Sequence, residues 1–162
     1  MRRKLTLVVF ATLLVASQIG FTQDTPDCEQ CYCKADNSPG GTGCGAGGDC
    51  VSLTFTAECT QEYTLKYSLT CSGETSCNEC FACVYLKDAS GNIVGVAHSP
   101  CANNDCVGIG DTPELTADES YTLFVCLRSC NYPNTSDCTD CVARGYVYHD
   151  WSDCDLLTAC NP

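Results

Sequence analysis

Basic residues are scarce in this sequence, and this scarcity limits the partners that the protein can bind. The chain of 162 residues has 8 Lys and Arg against 20 Asp and Glu. Three of the basic residues, Arg2, Arg3 and Lys4, lie at the N-terminus. An acidic surface repels nucleic acid and anionic lipid headgroups. We therefore expect no nucleic-acid partner.

Catalytic motifs are lacking as well. The two histidines, His98 and His149, belong to no motif, and the sequence has no GxSxG, HExxH or phosphate-binding glycine loop. The run Gly108–Gly110 lacks a third glycine. The number of cysteines is even, so no spare thiol stands out as a nucleophile. We predict that the protein is not an enzyme and that it has no cofactor.

Long apolar runs are lacking after the N-terminus. Residues 1–22 combine a cationic start with an apolar run from Leu5 to Ala16, which predicts a secretory signal peptide. Without the three basic residues of this leader, the formal charge of −12 becomes −15. We expect no membrane insertion after cleavage, and a secreted protein in the extracellular space or at a cell surface.

Cysteine, by contrast, is abundant. All 18 cysteines follow the leader, and such content in an exported chain is typical of a disulfide scaffold. Each bridge contributes typically about 2–4 kcal/mol of stability. The pairing cannot be deduced from the sequence. The predicted disulfide cysteines are Cys28, Cys31, Cys33, Cys44, Cys50, Cys59, Cys71, Cys77, Cys80, Cys83, Cys101, Cys106, Cys126, Cys130, Cys138, Cys141, Cys154 and Cys160.

The CxxC spacings raise the alternative of a metal site. A ferredoxin-like run through Cys77, Cys80 and Cys83 would need a fourth cysteine at position 87, where Lys87 stands. No CxxC precedes a histidine, so covalent haem attachment is excluded. Zinc would require reduced thiolates in an oxidising compartment. We predict no metal; if cysteines do bind one, the candidates are these three with Cys138 or Cys141.

Apolar and polar residues alternate from Val51 to Cys71, which predicts β-structure. Two arrangements fit this pattern. One is a hairpin with the three-residue loop Thr60–Glu62, which keeps core-facing residues opposite each other. The other is an arch that sends the second half of the stretch to another sheet.

Four further strands follow. Val84 to His98 predicts a hairpin whose five-residue loop, Asp88–Asn92, sets Leu86 opposite Val94 and Val84 opposite Val96. Residues 121–127 are apolar on both faces and predict a central strand. Residues 141–149 form the last strand, followed by a tail clamped by cysteines at 154 and 160.

These elements define the predicted organisation. Residues 23–50 form a Cys- and Gly-rich arm with few apolar side chains, and residues 51–162 form one domain. Several strands without an amphipathic helix predict an all-β fold, an antiparallel β-sandwich with irregular cysteine-rich loops.

Two stretches resemble known sandwich modules. Residues 115–125, LTADESYTLFV, resemble the turn and strand of Greek-key sandwiches, in which a tyrosine closes the corner between two strands. The hairpin VYLKDASGNIVGV resembles those of fibronectin-III-like and bacterial pre-peptidase C-terminal modules. The resemblance implies an immunoglobulin- or fibronectin-like architecture in general outline. It implies no function.

The densest aromatic patch is a candidate ligand site. Tyr146 and Tyr148 share one face of the last strand, and Trp151 follows. If exposed, the three rings could form a platform that stacks on sugar rings; if buried, they are core residues.

Polar loops offer weaker candidates. Asp88, Ser90 and Asn92 supply hard oxygens suited to Ca²⁺, as do residues 103–105, but Ca²⁺ needs six to eight ligands, and turn residues explain both loops. Asn134 begins an Asn-Thr-Ser glycosylation sequon.

The leading functional prediction is a secreted, non-enzymatic, disulfide-stabilised structural or surface-interaction protein of a matrix, envelope or filament. It would associate with itself or with an extracellular protein or glycan, through an open sheet edge or the N-terminal arm. The alternatives are a carbohydrate- or ligand-binding module that uses the Tyr146–Trp151 patch, and a secreted cysteine-rich effector or toxin.

Overall fold

The computed structural model describes residues 30–40, 44, 49–72, 79–98, 101, 106–154 and 160. The predicted signal peptide, Cys28, Cys77 and the loop 103–105 lie outside the described residues.

The described residues form strands and two short 3-10 helices, Ser136–Cys138 and Trp151–Asp153, with no α-helix among them. The strands are β1 Cys31–Asp36, β2 Val51–Thr56, β3 Gln61–Glu62, β4 Thr64–Cys71, β5 Cys80–Lys87, β6 Ile93–His98, β7 Val107–Ile109, β8 Glu114–Leu115, β9 Ser120–Ser129 and β10 Cys141–Tyr148.

Two four-stranded antiparallel sheets contain nearly all of these strands. The first sheet has the order β1-β10-β4-β7, and the second has the order β2-β9-β5-β6. The short strands β3 and β8 pair separately. Leu65 and Val147 of the first sheet and Leu123 and Val84 of the second belong to one buried cluster. The sheets therefore pack face to face, and the predicted all-β antiparallel sandwich is confirmed.

The Val51–Cys71 stretch is an arch. Its first half is β2 in the second sheet, and its second half is β4 in the first. The hairpin alternative, with its loop Thr60–Glu62, is therefore wrong. Backbone bonds from Ala57 N to Glu119 O (3.0 Å) and from Asp118 N to Ala57 O (2.8 Å) hold the arch against the turn before β9. Alternation could not separate the two arrangements, because strands on opposite sheets face the same core.

The β5–β6 hairpin has the predicted five-residue loop but a different register. A β-bulge between Leu86 and Lys87 pairs Leu86 with Gly95 and Val84 with Ala97. The predicted pairs with Val94 and Val96 are wrong, because one extra residue on a strand moves its side chains to the other face. Gly95 and Ala97 are buried, and Val94 is exposed instead.

The strand predicted to be central is β9. It lies between β2 and β5, so the predicted central position is confirmed. The predicted N-terminal arm contributes a strand of its own. Its residues 31–36 are β1, paired along their whole length with β10. A boundary after residue 50 therefore does not separate this part of the arm from the sheets.

A tyrosine closes the corner before β9, as the resemblance to Greek-key sandwiches implies. The hydroxyl of the buried Tyr121 accepts a hydrogen bond from Thr116 N at 3.0 Å. It also donates to Glu119 Oε2 at 3.3 Å. The immunoglobulin- or fibronectin-like detail of the architecture stays a prediction.

Candidate functional site

Seven disulfides join described cysteines, so the predicted disulfide bonding is confirmed for this part of the chain; that of Cys28 and Cys77 stays a prediction. Cys59 and Cys106 are disulfide-bonded as well, and no described cysteine is free. The seven pairs are Cys31–Cys154, Cys33–Cys160, Cys44–Cys83, Cys50–Cys126, Cys71–Cys141, Cys80–Cys138 and Cys101–Cys130.

The described cysteines among the alternative metal ligands all belong to disulfides. Cys80 is bonded to Cys138, and Cys83 is bonded to Cys44. Cys141 is bonded to Cys71. A sulfur atom in a disulfide is not a thiolate, so these residues are not available as zinc ligands in this state.

Disulfide-bonded cysteines from flanking loops pack on the outer face of the second sheet. Phe81 and Tyr85 lie on that face in a second buried cluster with Cys83 and Cys126. Bridges tie Cys83 and Cys126 to the segment that precedes β2. Burial from both sides explains why seven consecutive residues of β5, Cys80 to Leu86, are buried.

Two buried charged side chains, which the sequence did not single out, fix these segments. Asp36 at the end of β1 accepts a hydrogen bond from Leu127 N at 2.8 Å, which links the two sheets. The buried guanidinium of Arg128 donates to Asp49 O at 3.5 Å and contacts Cys50 Sγ at 2.9 Å. A buried charge needs such partners. In the sequence, no periodic pattern distinguishes a charged residue that becomes buried from one that stays on the surface.

The described residues after β10, 150–154 and Cys160, lie over the outer face of the first sheet, and we call them the strap. Bridges from Cys31 and Cys33 on β1 hold it at Cys154 and Cys160. Arg144 of β10 adds a hydrogen bond from Nε to Cys160 O at 2.8 Å. The predicted clamping of the tail by these two cysteines matches this arrangement.

The structure brings the three predicted aromatic residues together beneath and within the strap. The Trp151 ring centroid lies 5.2 Å from that of Tyr146 and 5.1 Å from that of Tyr148. Lys66 of β4, the cross-strand neighbour of Tyr146, places Nζ 3.2 Å from the Trp151 ring centroid. These four side chains form an aromatic–cation cluster.

The geometry of this cluster differs from a flat platform. The tyrosine rings meet the indole edge-on, at 68° and 74°, and Lys66 occupies one indole face. Tyr148 is buried, and burial raises the pKa of its hydroxyl. Tyr146 and Trp151 remain half-buried. Sugar stacking on these rings stays a prediction.

The remaining polar candidates have local partners. Asp88 accepts hydrogen bonds from Ser90 N (2.9 Å), Asn92 N (2.8 Å) and Asn92 Nδ2 (2.9 Å), and these bonds, the Asn92 side chain first, lower its pKa. The carboxylate therefore has the contacts of a turn residue. Asn134 is exposed, and Ser136 donates to its Oδ1 from Oγ at 2.7 Å and from N at 3.2 Å. Its glycosylation stays a prediction.

The histidines lie on different sheets. His98 ends β6 and is exposed. His149 follows β10, and its Nδ1 lies 3.0 Å from Glu62 O. The described part of the chain contains no pocket beside either residue.

One side of the sandwich carries exposed apolar side chains. Among the described residues, β6 and β7 supply four of the five large exposed hydrophobics: Ile93 (46% exposed), Val94 (36%), Val107 (54%) and Ile109 (65%). We call this side the apolar edge. The alternation of Val107 and Ile109 could have been noticed in the sequence, but the exposure of Val94 depends on the bulge.

The contacts that join the two sheets differ between the apolar edge and the opposite edge of the sandwich. At the apolar edge, the outward N–H and C=O of Val96 bond to Asp111 Oδ2 (2.9 Å) and Asp111 N (3.0 Å). At the opposite side, Tyr32 of β1 stacks on Phe55 of β2 with ring centroids 3.8 Å apart. Of the five large exposed hydrophobics among the described residues, Tyr132 alone lies outside the apolar edge.

No helix within the described ranges has the length and apolar character needed to cross a membrane. No protein-family model matches this chain, and a search of curated proteins finds no significant match.

Proposed function

We propose that this is a secreted, non-enzymatic, disulfide-stabilised protein with a structural or surface-interaction function, and that the apolar edge is its contact surface. The carrying observation is that four of the five large exposed hydrophobics in the described residues lie on two neighbouring edge strands. Scattered exposure would need no explanation, whereas concentration on one side is typical of an interaction site.

The size of this surface suits a modest contact. Burying a half-exposed Val or Ile contributes roughly 1 kcal/mol. Four such side chains supply only part of the free energy that offsets the loss of translational and rotational freedom. A repeated or multivalent contact at a surface or in an assembly fits this scale better than a tight isolated dimer.

The disulfides support an extracellular location. Bridges accumulate where the environment is oxidising, and every described cysteine is bonded. The formal charge of −12 favours a partner that carries basic groups around an apolar centre, and it opposes contact between two copies at low salt.

The test is association of the mature protein, measured by sedimentation velocity at increasing protein and NaCl concentration. If copies meet through the apolar edge, salt should strengthen association, because it screens charge repulsion and leaves apolar contacts intact. Ile109→Asp should then abolish association. Tyr132→Asp is the matched control, since Tyr132 is 52% exposed outside this edge and the charge change is the same.

A protein that stays monomeric under all these conditions would exclude self-association. Capture on immobilised extracts of the source's extracellular surface would then test a foreign partner. Equal capture of the wild-type protein, Ile109→Asp and Tyr132→Asp would overturn the apolar edge as the contact surface.

Carbohydrate binding through the aromatic–cation cluster is the second candidate, supported by the partial exposure of Tyr146 and Trp151. Lys66→Met removes the cation from the indole face while keeping a long aliphatic side chain. If sugars stack on that face, this variant should bind a glycan array more strongly than the wild type, and Trp151→Ala should not bind. An array on which all three proteins give no signal would remove this candidate.

A further inference from the structure

Two disulfides lie side by side at one end of the sandwich. Cys71–Cys141 joins the end of β4 to the start of β10, and Cys80–Cys138 joins the start of β5 to the 3-10 helix Ser136–Cys138. The sulfur atoms of Cys71, Cys80 and Cys141 all lie within 4.8 Å of one another. Cys80 Sγ is therefore close to both sulfurs of the neighbouring bridge.

The two bridges differ in access. Cys80 and Cys138 are fully buried, and Cys141 is 1% exposed. Cys71 is half-buried at the end of its strand, and the next residue, Ser72, is exposed. A thiol from solvent therefore reaches the pair more readily at Cys71 than at the other three cysteines.

We propose that these bridges form a thiol–disulfide relay, in which a low-molecular-weight thiol that attacks Cys71 causes the buried bridge to exchange. Disulfide exchange proceeds by attack of a thiolate on one sulfur of a bridge, with the other sulfur as leaving group. The arrangement of Cys80 beside Cys71–Cys141 lets the first leaving group become the second nucleophile.

The chemistry has two balanced steps. The external thiolate forms a mixed disulfide with Cys71 Sγ, the Cys71–Cys141 bond breaks, and its electron pair leaves with Cys141. The Cys141 thiolate then attacks Cys80 Sγ, a Cys80–Cys141 bond forms, and Cys138 leaves with the electron pair of the broken Cys80–Cys138 bond. Cys138 takes a proton from solvent. Two disulfides enter and two leave, so no oxidant is needed.

Backbone oxygens around Cys138 favour this direction. Its sulfur lies 3.6 Å from Glu79 O and 3.8 Å from Arg128 O. A sulfur in a disulfide has no proton to donate, but the released thiol could donate to either carbonyl. Such bonds favour the protonated thiol over the thiolate, and the thiolate is the species that would reverse the exchange.

The product would connect the two sheets directly. Cys141 belongs to the first sheet and Cys80 to the second. The new bridge would join β10 to β5 across the core, while Cys71 would carry the external thiol. The site therefore accepts a small thiol or the reactive cysteine of a thiol oxidoreductase, and the experiment begins with glutathione.

The test uses the fully oxidised mature protein, exposed to reduced glutathione, quenched with excess iodoacetamide in denaturant so that buried thiols react, and mapped by mass spectrometry without reduction. The expected wild-type products are glutathione on Cys71, a carbamidomethyl group on Cys138 and a peptide linked through Cys80 and Cys141. In the double variant Cys71→Ser/Cys141→Ser, labelling of Cys138 should fall about tenfold or more, because its bridge then lacks the internal nucleophile.

The control is Cys31→Ser/Cys154→Ser, which removes a bridge between β1 and the strap. Its Cys138 labelling should equal that of the wild type. Equal labelling of Cys138 in the wild type and the Cys71→Ser/Cys141→Ser variant would overturn the relay. If that variant does not fold, the wild-type map decides alone: glutathione on Cys71 without a Cys80–Cys141 peptide would refute it.

Discussion

Three tyrosine hydroxyls near the arch have different polar surroundings. The Tyr121 hydroxyl accepts a hydrogen bond from Thr116 N, and the Tyr32 hydroxyl contacts two acceptors, Thr56 O at 3.0 Å and the side chain of Gln30. The hydroxyl of the fully buried Tyr63 has no hydrogen-bond partner among the described residues. A buried hydrogen bond contributes about 1 kcal/mol to stability, whereas a buried polar atom without a partner costs about 1–3 kcal/mol.

Removal of the Tyr121 hydroxyl tests the corner before β9. Tyr121→Phe should lower the free energy of unfolding by about 1 kcal/mol, because Thr116 N loses its acceptor. Chemical denaturation measures this change. Tyr132→Phe, at an exposed position, should leave the stability unchanged, and equal effects in the two variants would contradict the bond.

Tyr32 predicts an alkaline dependence of stability. Desolvation by burial, and then the nearby Tyr63 and Glu58, raise the pKa of Tyr32 from 10.0 to about 12. The folded state favours the neutral phenol, so this contribution to stability is present below pH 10 and is lost as the pH rises through about 12.

Unfolding midpoints across this pH range measure the effect, and absorbance at the phenolate band follows the ionisation. Tyr32→Phe should flatten the loss of stability, since it removes the ionising group. A loss just as steep in this variant would assign it to other groups.

At the scale of elements, the sequence predicted strands more successfully than their partners. Alternation located β2, β4 and β9, because one face of each contacts the core. It could not choose between hairpin and arch, and it missed the bulge at Leu86, since one extra residue leaves no trace in composition. It also missed β1, because this strand has too few apolar residues to show an alternating pattern. Cross-strand pairing with β10 and bridges to the strap hold that strand in place.

For the candidate sites too, the sequence predicted the arrangement within one strand but not the contacts between strands. The spacing of Tyr146 and Tyr148 correctly placed them on one face, but the position of Lys66 over Trp151 depends on a neighbouring strand and on the strap. The pair of adjacent bridges at Cys80 could not be predicted, because disulfide connectivity depends on the complete fold.

Gly145 sets the distance between the two sheets at the middle of β10. A Cβ atom at this position would lie 2.5 Å from Val125 Cγ2 and 2.8 Å from Val84 Cγ2. Gly145→Ala should therefore lower the free energy of unfolding by about 1–3 kcal/mol through overpacking.

A double-mutant cycle, measured by denaturant titration, tests whether contact with Val125 causes the lower free energy of unfolding of Gly145→Ala. Val125→Ala removes the nearest methyl group, so adding Gly145→Ala to that variant should cost less than adding it to the wild type. Additive effects would show that contact with Val125 is not the cause.

At the scale of the whole molecule, disulfides bring together parts of the chain that are distant in sequence. The bridges of the strap span 123 and 127 residues, and the described bridges reach both outer faces of the sandwich. Long loops restrict the unfolded chain most in the chain-entropy model. The disulfides thus add to the stability that the apolar core between the sheets provides.

The strap can be monitored through the single tryptophan of the chain. Cys31→Ser/Cys154→Ser should lower the free energy of unfolding by about 2–5 kcal/mol, because the largest loops restrict the unfolded state most. Its Trp151 emission should shift to longer wavelength as the indole leaves Tyr146 and Tyr148. A stability loss without that shift would show that Cys33–Cys160 holds the strap alone.

The strap also has a mechanical consequence. Because Cys31 and Cys33 on the first strand are bonded to Cys154 and Cys160, a pulling force applied between residues 30 and 160 passes through covalent bonds within a few residues of each point. The hydrogen bonds of both sheets lie outside this path and carry little of the load. Within a stretched assembly that holds the molecule at these points, the sandwich would behave as an inextensible link that keeps its fold until a disulfide is reduced.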